Sequence, residues 1–335
     1  MSLRLVRMAS PDLNVIEALK IRLCKAISPD AILALSSTSI SNLEAFITFL
    51  APYDVSSCIQ LSLKLDEKVG LGKLFSVMNM CWIESVRNLL KLIQPSRALK
   101  EFIHMYIGKF ELVELLNLLK EVRVSIDPTH FYFLTSSIID EASGVRKVSD
   151  FIDLLRAHPS IVSRIVADAL RGFEDLSLTD IDAYAIERHA HQKYWDSLIV
   201  RAHGLKPQVK LVPCLRHLKV VTMIEGSVRR SLIAGEDPLK VLVGVPSRVA
   251  TVVETCIHKA FELDIAFESL KYLYCFNELK YSPPSYDVVL NYMVVKEFES
   301  RFVSYITYLL INGFNKGYIL DRLSRWWKVY ELISK

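Results

Sequence analysis

The stretch Thr179-Asp-Ile-Asp-Ala-Tyr-Ala-Ile-Glu-Arg-His-Ala-His-Gln-Lys-Tyr-Trp-Asp-Ser-Leu-Ile-Val-Arg-Ala-His-Gly204 has the periodicity of a long helix. Its apolar side chains recur at steps of four residues and form one stripe: Ile186, Ala190, Tyr194, Leu198 and Ala202. Polar side chains lie away from that stripe: Glu187, Arg188, His191 and Asp196. The pattern predicts a helix over about 180–203 that ends at Gly204 and is the longest regular helix of the chain. Asp180 and Asp182 are suited to its positive N-terminal end.

A second segment, 97–121, is apolar nearly all round a helix: Phe102, Ile103, Tyr106, Ile107, Phe110, Val113, Leu116 and Leu119. A helix without a wide polar face must be covered on most sides, so we expect this one in the middle of a bundle. The best strand candidates, 209–212 and 241–245, are both short. The sequence therefore predicts an all-α fold.

The composition limits the possible locations of the chain. Half of its 335 residues are hydrophobic, but the longest charge-free runs, 302–315 and 31–43, are shorter than the roughly 20 residues of a membrane span. The first residues lack the features of a signal peptide, so we expect a cytoplasmic protein. A net charge of +4, with scattered Lys and Arg, argues against an extended nucleic-acid surface.

Motifs of catalysis and metal binding are not found in the sequence. His189 and His191 are two residues apart on the predicted helix and cannot share a metal ion from one face. Gly70-Leu-Gly72 lacks both a third glycine and a preceding strand, and no phosphate-binding P-loop occurs. We therefore predict no cofactor, no metal, no small-molecule substrate and no catalytic site.

The six cysteines are dispersed and form no Cys-x-x-Cys pair: Cys24, Cys58, Cys81, Cys214, Cys256 and Cys275. Most have apolar neighbours, so we interpret them as small core residues. A disulfide would be unusual in a cytoplasmic protein outside hyperthermophiles.

Weak internal repetition is visible at three places. The segment 41–50 parallels 148–155, and Tyr106–Glu111 parallels Tyr292–Glu297. The segment 220–230 is a candidate for the middle copy. Such repetition predicts helical units of unequal length, the last one the shortest.

These segments resemble the C-subunit family of archaeal A-type ATP synthases, which is related to the d-subunit family of eukaryotic V-type ATPases. Tyr292-Met-Val-Val-Lys-Glu-Phe-Glu299 is similar to the family's last repeat, and Glu111–Lys120 is similar to its repeated helix, with acids exchanged. The stretches 46–53 and 313–323 are similar to the end of its first repeat and to its terminal turn and helix. Departures from the family pattern occur at Phe302, Ser304 and Thr222.

The resemblance implies three pseudo-repeated helical bundles arranged as a funnel, which we place at 1–123, 124–233 and 234–335. It implies a non-catalytic component of the central stalk, peripheral to the cytoplasmic face of the cell membrane. Its partners would be the rotor axle subunits and the ion-carrying membrane ring, and it would transmit torque between them. A helical-repeat scaffold of another cytoplasmic complex is the alternative.

Charged residues of the repeat helices are the candidate contacts with the axle or the ring: Glu111, Glu114, Glu225, Arg229, Glu297, Glu299 and Arg301. Two pairs, Glu225 with Arg229 and Glu297 with Arg301, have the i, i+4 spacing of an intrahelical ion pair. One interpretation is a solvated helix face that contributes little to stability. The functional hypothesis is that these charges line the opening that receives the axle.

Overall fold

The computed structural model describes residues 10–28, 31, 35, 40–63, 70–128, 131–158, 160–257 and 260–334. Within these ranges the chain forms helices and no strand, which confirms the predicted all-α class. Both strand candidates are helical in part: Leu211 begins a helix, and Pro238–Leu242 forms a 3-10 turn. No helix in the same ranges is long and apolar enough to cross a membrane.

The helices, in chain order, are α1 (Ser10–Leu23), α2 (Leu43–Leu50), α3 (Val55–Leu63), α4 (Leu71–Ile93), α5 (Arg97–Ile107), α6 (Lys109–Glu121), α7 (Ser136–Ala142), α8 (Val148–Ala157), α9 (Ile161–Leu170), α10 (Ala183–His203), α11 (Leu211–Ala234), α12 (Ser247–Cys256), α13 (Ala260–Leu279), α14 (Tyr286–Ile311) and α15 (Lys316–Ser334).

The chain folds into two compact units. Unit 1 is discontinuous and comprises Met1–Ser96 and Leu205–Lys335, whereas unit 2 is the intervening segment Arg97–Gly204. These limits do not coincide with the predicted repeat boundaries at 123/124 and 233/234. The funnel of three bundles therefore stays a prediction.

Helix α14 is the centre of unit 1. It packs against α1, α4 and α13, and every residue from Tyr286 to Ser300 is buried. At 26 residues it is longer than α10, so the prediction that α10 is the longest helix was wrong. Because this part of α14 is covered on all sides, its polar residues must find partners inside the unit.

In unit 2, α10 has the predicted end and stripe, but it begins at Ala183 and not at about 180, so Asp180 lies before the helix. Asp182 caps it by accepting hydrogen bonds from the amides of Tyr184 and Ala185, at 3.0 and 3.2 Å. All five residues of the predicted stripe are buried, and the helix packs against α5, α6 and α9.

The segment 97–121 forms two helices, not one. They meet at Gly108, where a Cβ atom would lie 2.8 Å from Cγ2 of Val162 on α9, so only glycine permits this close approach. The expectation that this segment is covered on most sides was also wrong in part, since Val113 is 47% exposed.

Two cysteines do not fit the prediction of separate core residues. Cys58 on α3 and Cys81 on α4 form a disulfide in unit 1. Among the free cysteines, Cys24 is exposed, and Cys214, Cys256 and Cys275 are buried as expected.

Candidate functional site: charged side chains on the core helices

Glu225 on α11 is the centre of an ion-pair network in unit 1. Its carboxylate accepts hydrogen bonds from Lys271 on α13 and from Arg229, whose Nη2 lies 2.8 Å from Oε1. The guanidinium of Arg229 also lies 2.6 Å from Oδ1 of Asp264 on α13. The predicted pair of Glu225 with Arg229 is confirmed, and it belongs to a network that joins two helices.

The network keeps Glu225 ionised. Burial alone would raise the pKa of this carboxyl, but the positive charges of Lys271 and Arg229 outweigh burial and lower the pKa to about 2. Only 15% of the Glu225 side chain is exposed, against 45% for Arg229. The interpretation as a fully solvated face therefore does not fit Glu225.

Arg301 on α14 pairs with a residue of another helix. Its Nε lies 2.9 Å from Oε2 of Glu268 on α13, so the predicted intrahelical pair with Glu297 was wrong. The guanidinium also stacks on the ring of Phe75 from α4, 4.0 Å from the ring centre. Burial raises the pKa of Glu268, and the charge of Arg301 opposes that rise.

Glu297 is only 1% exposed and lies beside Tyr272. The pKa of the Tyr272 hydroxyl is raised well above its ordinary value, first by burial and then by the neighbouring carboxylates of Glu297 and Glu268. Tyr272 is therefore protonated at physiological pH and keeps a hydroxyl hydrogen to donate.

Glu299 is fully buried and forms an ion pair with Lys296, one turn earlier on α14. Its second oxygen accepts a hydrogen bond of 3.0 Å from the amide of Ile27, which follows α1. Burial raises the pKa of Glu299, while Lys296 and the Ile27 amide oppose the rise. This carboxylate joins the N-terminal segment to the central helix.

In unit 2, Glu114 on α6 holds a loop in place. Its carboxylate accepts hydrogen bonds from three successive amides, Tyr132, Phe133 and Leu134, at 2.8, 2.7 and 3.0 Å. Burial raises the pKa of Glu114, and these amides oppose the rise. One turn before it, Glu111 accepts a hydrogen bond from the hydroxyl of Ser160, the residue that caps α9.

The seven predicted contact residues thus fall into two groups. Glu114, Glu297 and Glu299 are buried, so an axle or ring subunit could reach them only if the core opened, and their role as contacts stays a prediction. Arg229 and Arg301 keep 45% and 39% of their side chains exposed, and Glu111 and Glu225 are partly buried. For these four, a contact with the axle or ring stays a prediction.

Sequence reasoning missed the partners on α13, namely Asp264, Glu268 and Lys271. Their signal is weak, since charges at intervals of three and four residues also occur on solvated helices. Lys296 lies within the segment Tyr292–Glu299, which is similar to the family's last repeat. The apolar residues before it were a signal for a buried ion pair.

Several of these charges connect one helix to a neighbouring element. Two residues of α11, Glu225 and Arg229, contact α13. Two residues of α14, Glu299 and Arg301, contact Ile27 and α13. Such contacts fix the position of each helix along its neighbour. In the part of the chain that the structure describes, no group of three His, Cys, Asp or Glu residues is placed to hold a metal ion.

No model of a known protein family matches the chain, and no curated protein sequence is significantly similar to it.

Proposed function

We propose that this chain is a central-stalk coupling component of a rotary A/V-type ATPase. In this role it joins the rotor axle to the membrane ring at the cytoplasmic face of the membrane and carries torque between them. The bond chemistry of ATP synthesis or hydrolysis belongs to other subunits of such a machine. The proposal starts from the resemblance of the repeat segments to the central-stalk family of A-type ATP synthases.

One observation carries the proposal furthest. The segment most similar to the family, Tyr292–Glu299, is the fully buried middle of α14. Its charged residues are bonded within unit 1, Glu299 to Ile27 and Lys296, and Glu297 lies beside Tyr272. The charged residues of this segment therefore have structural roles that require no catalytic chemistry.

Torque transmission requires a part that resists shear. Closely packed interiors deform little, and directional contacts between helices oppose sliding along their axes. Unit 1 has both features, because α14 is covered along most of its length and Arg301 and Glu299 connect it sideways to Glu268 and Ile27. These properties support a role in transmitting force.

The first experiment is a capture assay with the axle subunits of the same organism. Immobilised axle should retain the full chain, and the ring in detergent should then bind the pair. The functional test omits the chain from a reconstituted machine, and ATP turnover should then continue without ion pumping. Coupled pumping without this chain would refute the proposal.

A charge reversal tests the accessible candidates. Arg229→Glu should weaken axle capture about tenfold or more if this guanidinium faces the axle, since interface charges chiefly affect association. Arg156→Glu is the matched control, because Arg156 lies in an exposed intrahelical pair with Asp153 in unit 2. Equal capture by wild type and both variants would remove Arg229 from the contact set. Thermal melts of each variant establish that the fold is intact.

The scaffold alternative is supported by one observation, the division into two compact units where the resemblance implies three bundles. The same capture assay separates the two functions. Retention of partners unrelated to a rotary ATPase, with no retention of the axle, would favour the scaffold.

A further inference from the structure

Unit 2 is an insertion in unit 1, so the chain passes between the two units twice. It leaves unit 1 after Ser96 and returns at Leu205. We call Ser96 the outgoing segment and Pro207–Leu211 the returning segment. The returning segment is hydrogen-bonded to the first turn of α14, and the outgoing segment is hydrogen-bonded to Asp12, which contacts the same turn. All of these contacts lie within unit 1.

The outgoing segment is held by Asp12 of α1, which is 1% exposed. Oδ1 of Asp12 accepts a 2.6 Å hydrogen bond from the amide of Ser96, and Oδ2 accepts a 2.7 Å hydrogen bond from the Ser96 hydroxyl. The same Oδ2 accepts a third hydrogen bond, also 2.7 Å, from the hydroxyl of Tyr286. One buried carboxylate therefore joins α1, the outgoing segment and α14.

The returning segment is held by Asp287, which is also 1% exposed. Its carboxylate accepts hydrogen bonds from three successive amides, Val209 at 3.0 Å, Lys210 at 3.1 Å and Leu211 at 2.7 Å. These amides precede or begin α11, so a carboxylate from a distant part of the sequence takes the place of its helix cap. The amide of Tyr286 adds a 3.3 Å hydrogen bond to the carbonyl of Pro207.

Two neighbouring residues, Tyr286 and Asp287, thus serve both segments. Ser285 fixes their position, since it caps α14 and its hydroxyl accepts from the Asp287 amide. Charge-assisted hydrogen bonds to buried carboxylates are among the stronger polar contacts in proteins. Tyr286 and Asp287 stand on one helical turn, so a displacement of that turn would disturb the contacts of both segments.

We infer that Asp12, Tyr286 and Asp287 form a junction clamp that fixes both connections of unit 2 to the start of α14 as one cooperative element. The alternative is a pair of independent contacts that each satisfy their own amides. The two differ in one respect, since only a cooperative clamp transmits the loss of a contact on one segment to the other. The inference does not depend on the rotary function.

Hydrogen exchange of the full chain tests the clamp with a small change. Tyr286→Phe removes one hydroxyl from the outgoing side and leaves the Asp287 carboxylate intact. We expect exchange at the Ser96 amide to rise about fivefold or more, and exchange at the Val209–Leu211 amides to rise by a similar factor. Tyr308→Phe, on the same helix, is the matched control and should change neither.

Ser96→Ala provides a second probe that leaves α14 unaltered and should also accelerate exchange at Val209–Leu211. Protection of the α9 amides in unit 2 reports whether each variant is folded. Faster exchange confined to the segment next to each substitution, with the other unchanged, would overturn the clamp and leave two separate contacts. An unchanged Ser96 amide in Tyr286→Phe would overturn it as well.

Discussion

Nε of Arg301 lies 2.9 Å from Oε2 of Glu268 on the adjacent helix, and not against Glu297, which is one turn away on its own helix. The consequence is a sideways connection between α14 and α13. An intrahelical pair would only have stabilised α14 itself. This connection ties the central helix of unit 1 to a neighbour, with Phe75 of α4 stacked on the guanidinium.

Removal of this connection should be costly. Arg301→Met leaves the Glu268 carboxylate, which is 12% exposed, without its partner. We expect the free energy of unfolding to fall by about 2–3 kcal/mol in urea titrations, below the loss typical of fully buried pairs because the guanidinium is 39% exposed. Arg156→Met, from an exposed pair, should change it by less than about 0.5 kcal/mol.

A double-mutant cycle identifies the partner. The coupling energy of Arg301→Met with Glu268→Gln should exceed about 1 kcal/mol, and the coupling of Arg301→Met with Glu297→Gln should be smaller. A larger coupling energy with Glu297 than with Glu268 would mean that Arg301 interacts mainly with Glu297 in solution, as the spacing predicted.

The stability of unit 1 should depend on pH through Glu225. The folded-state pKa is lowered from 4.5 to about 2, so its contribution is complete above the unfolded-state value and is lost as pH falls towards 2. The shift corresponds to roughly 3 kcal/mol at neutral pH. Urea titrations from pH 7 to pH 2.5 should show a fall in stability that Glu225→Gln reduces.

A control for that titration is Glu236→Gln, on the exposed turn after α11. This variant should follow the wild-type pH dependence throughout. If Glu225→Gln does so too, then Lys271 and Arg229 do not hold the carboxylate in its ionised form.

Much of the fold could be predicted where the signal is local. The stripe of α10 recurs at fixed steps and Gly204 follows its last residue, so its end and buried face were correct, whereas it begins at Ala183, three residues after the predicted start. The close approach that requires glycine at 108 was invisible, because it involves Val162, 54 positions away in the sequence. Likewise, the disulfide depends on α3 and α4 lying side by side, which no cysteine spacing reveals.

The candidate site shows the same division. Spacing predicted the pair of Glu225 with Arg229, which is a contact within one helix. It failed for Arg301, because the preferred carboxylate comes from α13 and only the packing of the two helices brings Glu268 near. The burial of Glu297 and Glu299 was not visible in the sequence, because both lie in the polar stretch Lys296–Arg301 of α14.

In unit 2, the loop before α7 should depend on Glu114. Glu114→Gln turns one acceptor oxygen into an NH2 group that cannot accept, so at least one of the three part-buried amides bonded to Glu114 loses its partner. The free energy of unfolding should fall by about 1–3 kcal/mol, and these amides should exchange faster. Asp175→Asn, an exposed control, should change neither quantity. Unchanged exchange in Glu114→Gln would mean that the loop is held by other contacts.

The disulfide between Cys58 and Cys81 should stabilise unit 1 under oxidising conditions. It joins residues 23 positions apart, and closing a loop of that size in the unfolded chain is worth about 3 kcal/mol. Cys58→Ser should therefore lower the free energy of unfolding by about that amount without reductant, and the difference should largely vanish when excess dithiol reduces the wild type. Cys24→Ser, which removes an exposed free thiol, should have no measurable effect in either condition.

Alkylation followed by mass spectrometry gives the direct measurement, since the oxidised chain should present four reactive thiols after unfolding. Six thiols would show that the two cysteines stay reduced, and the stability difference would then have to come from lost packing at Cys58 alone.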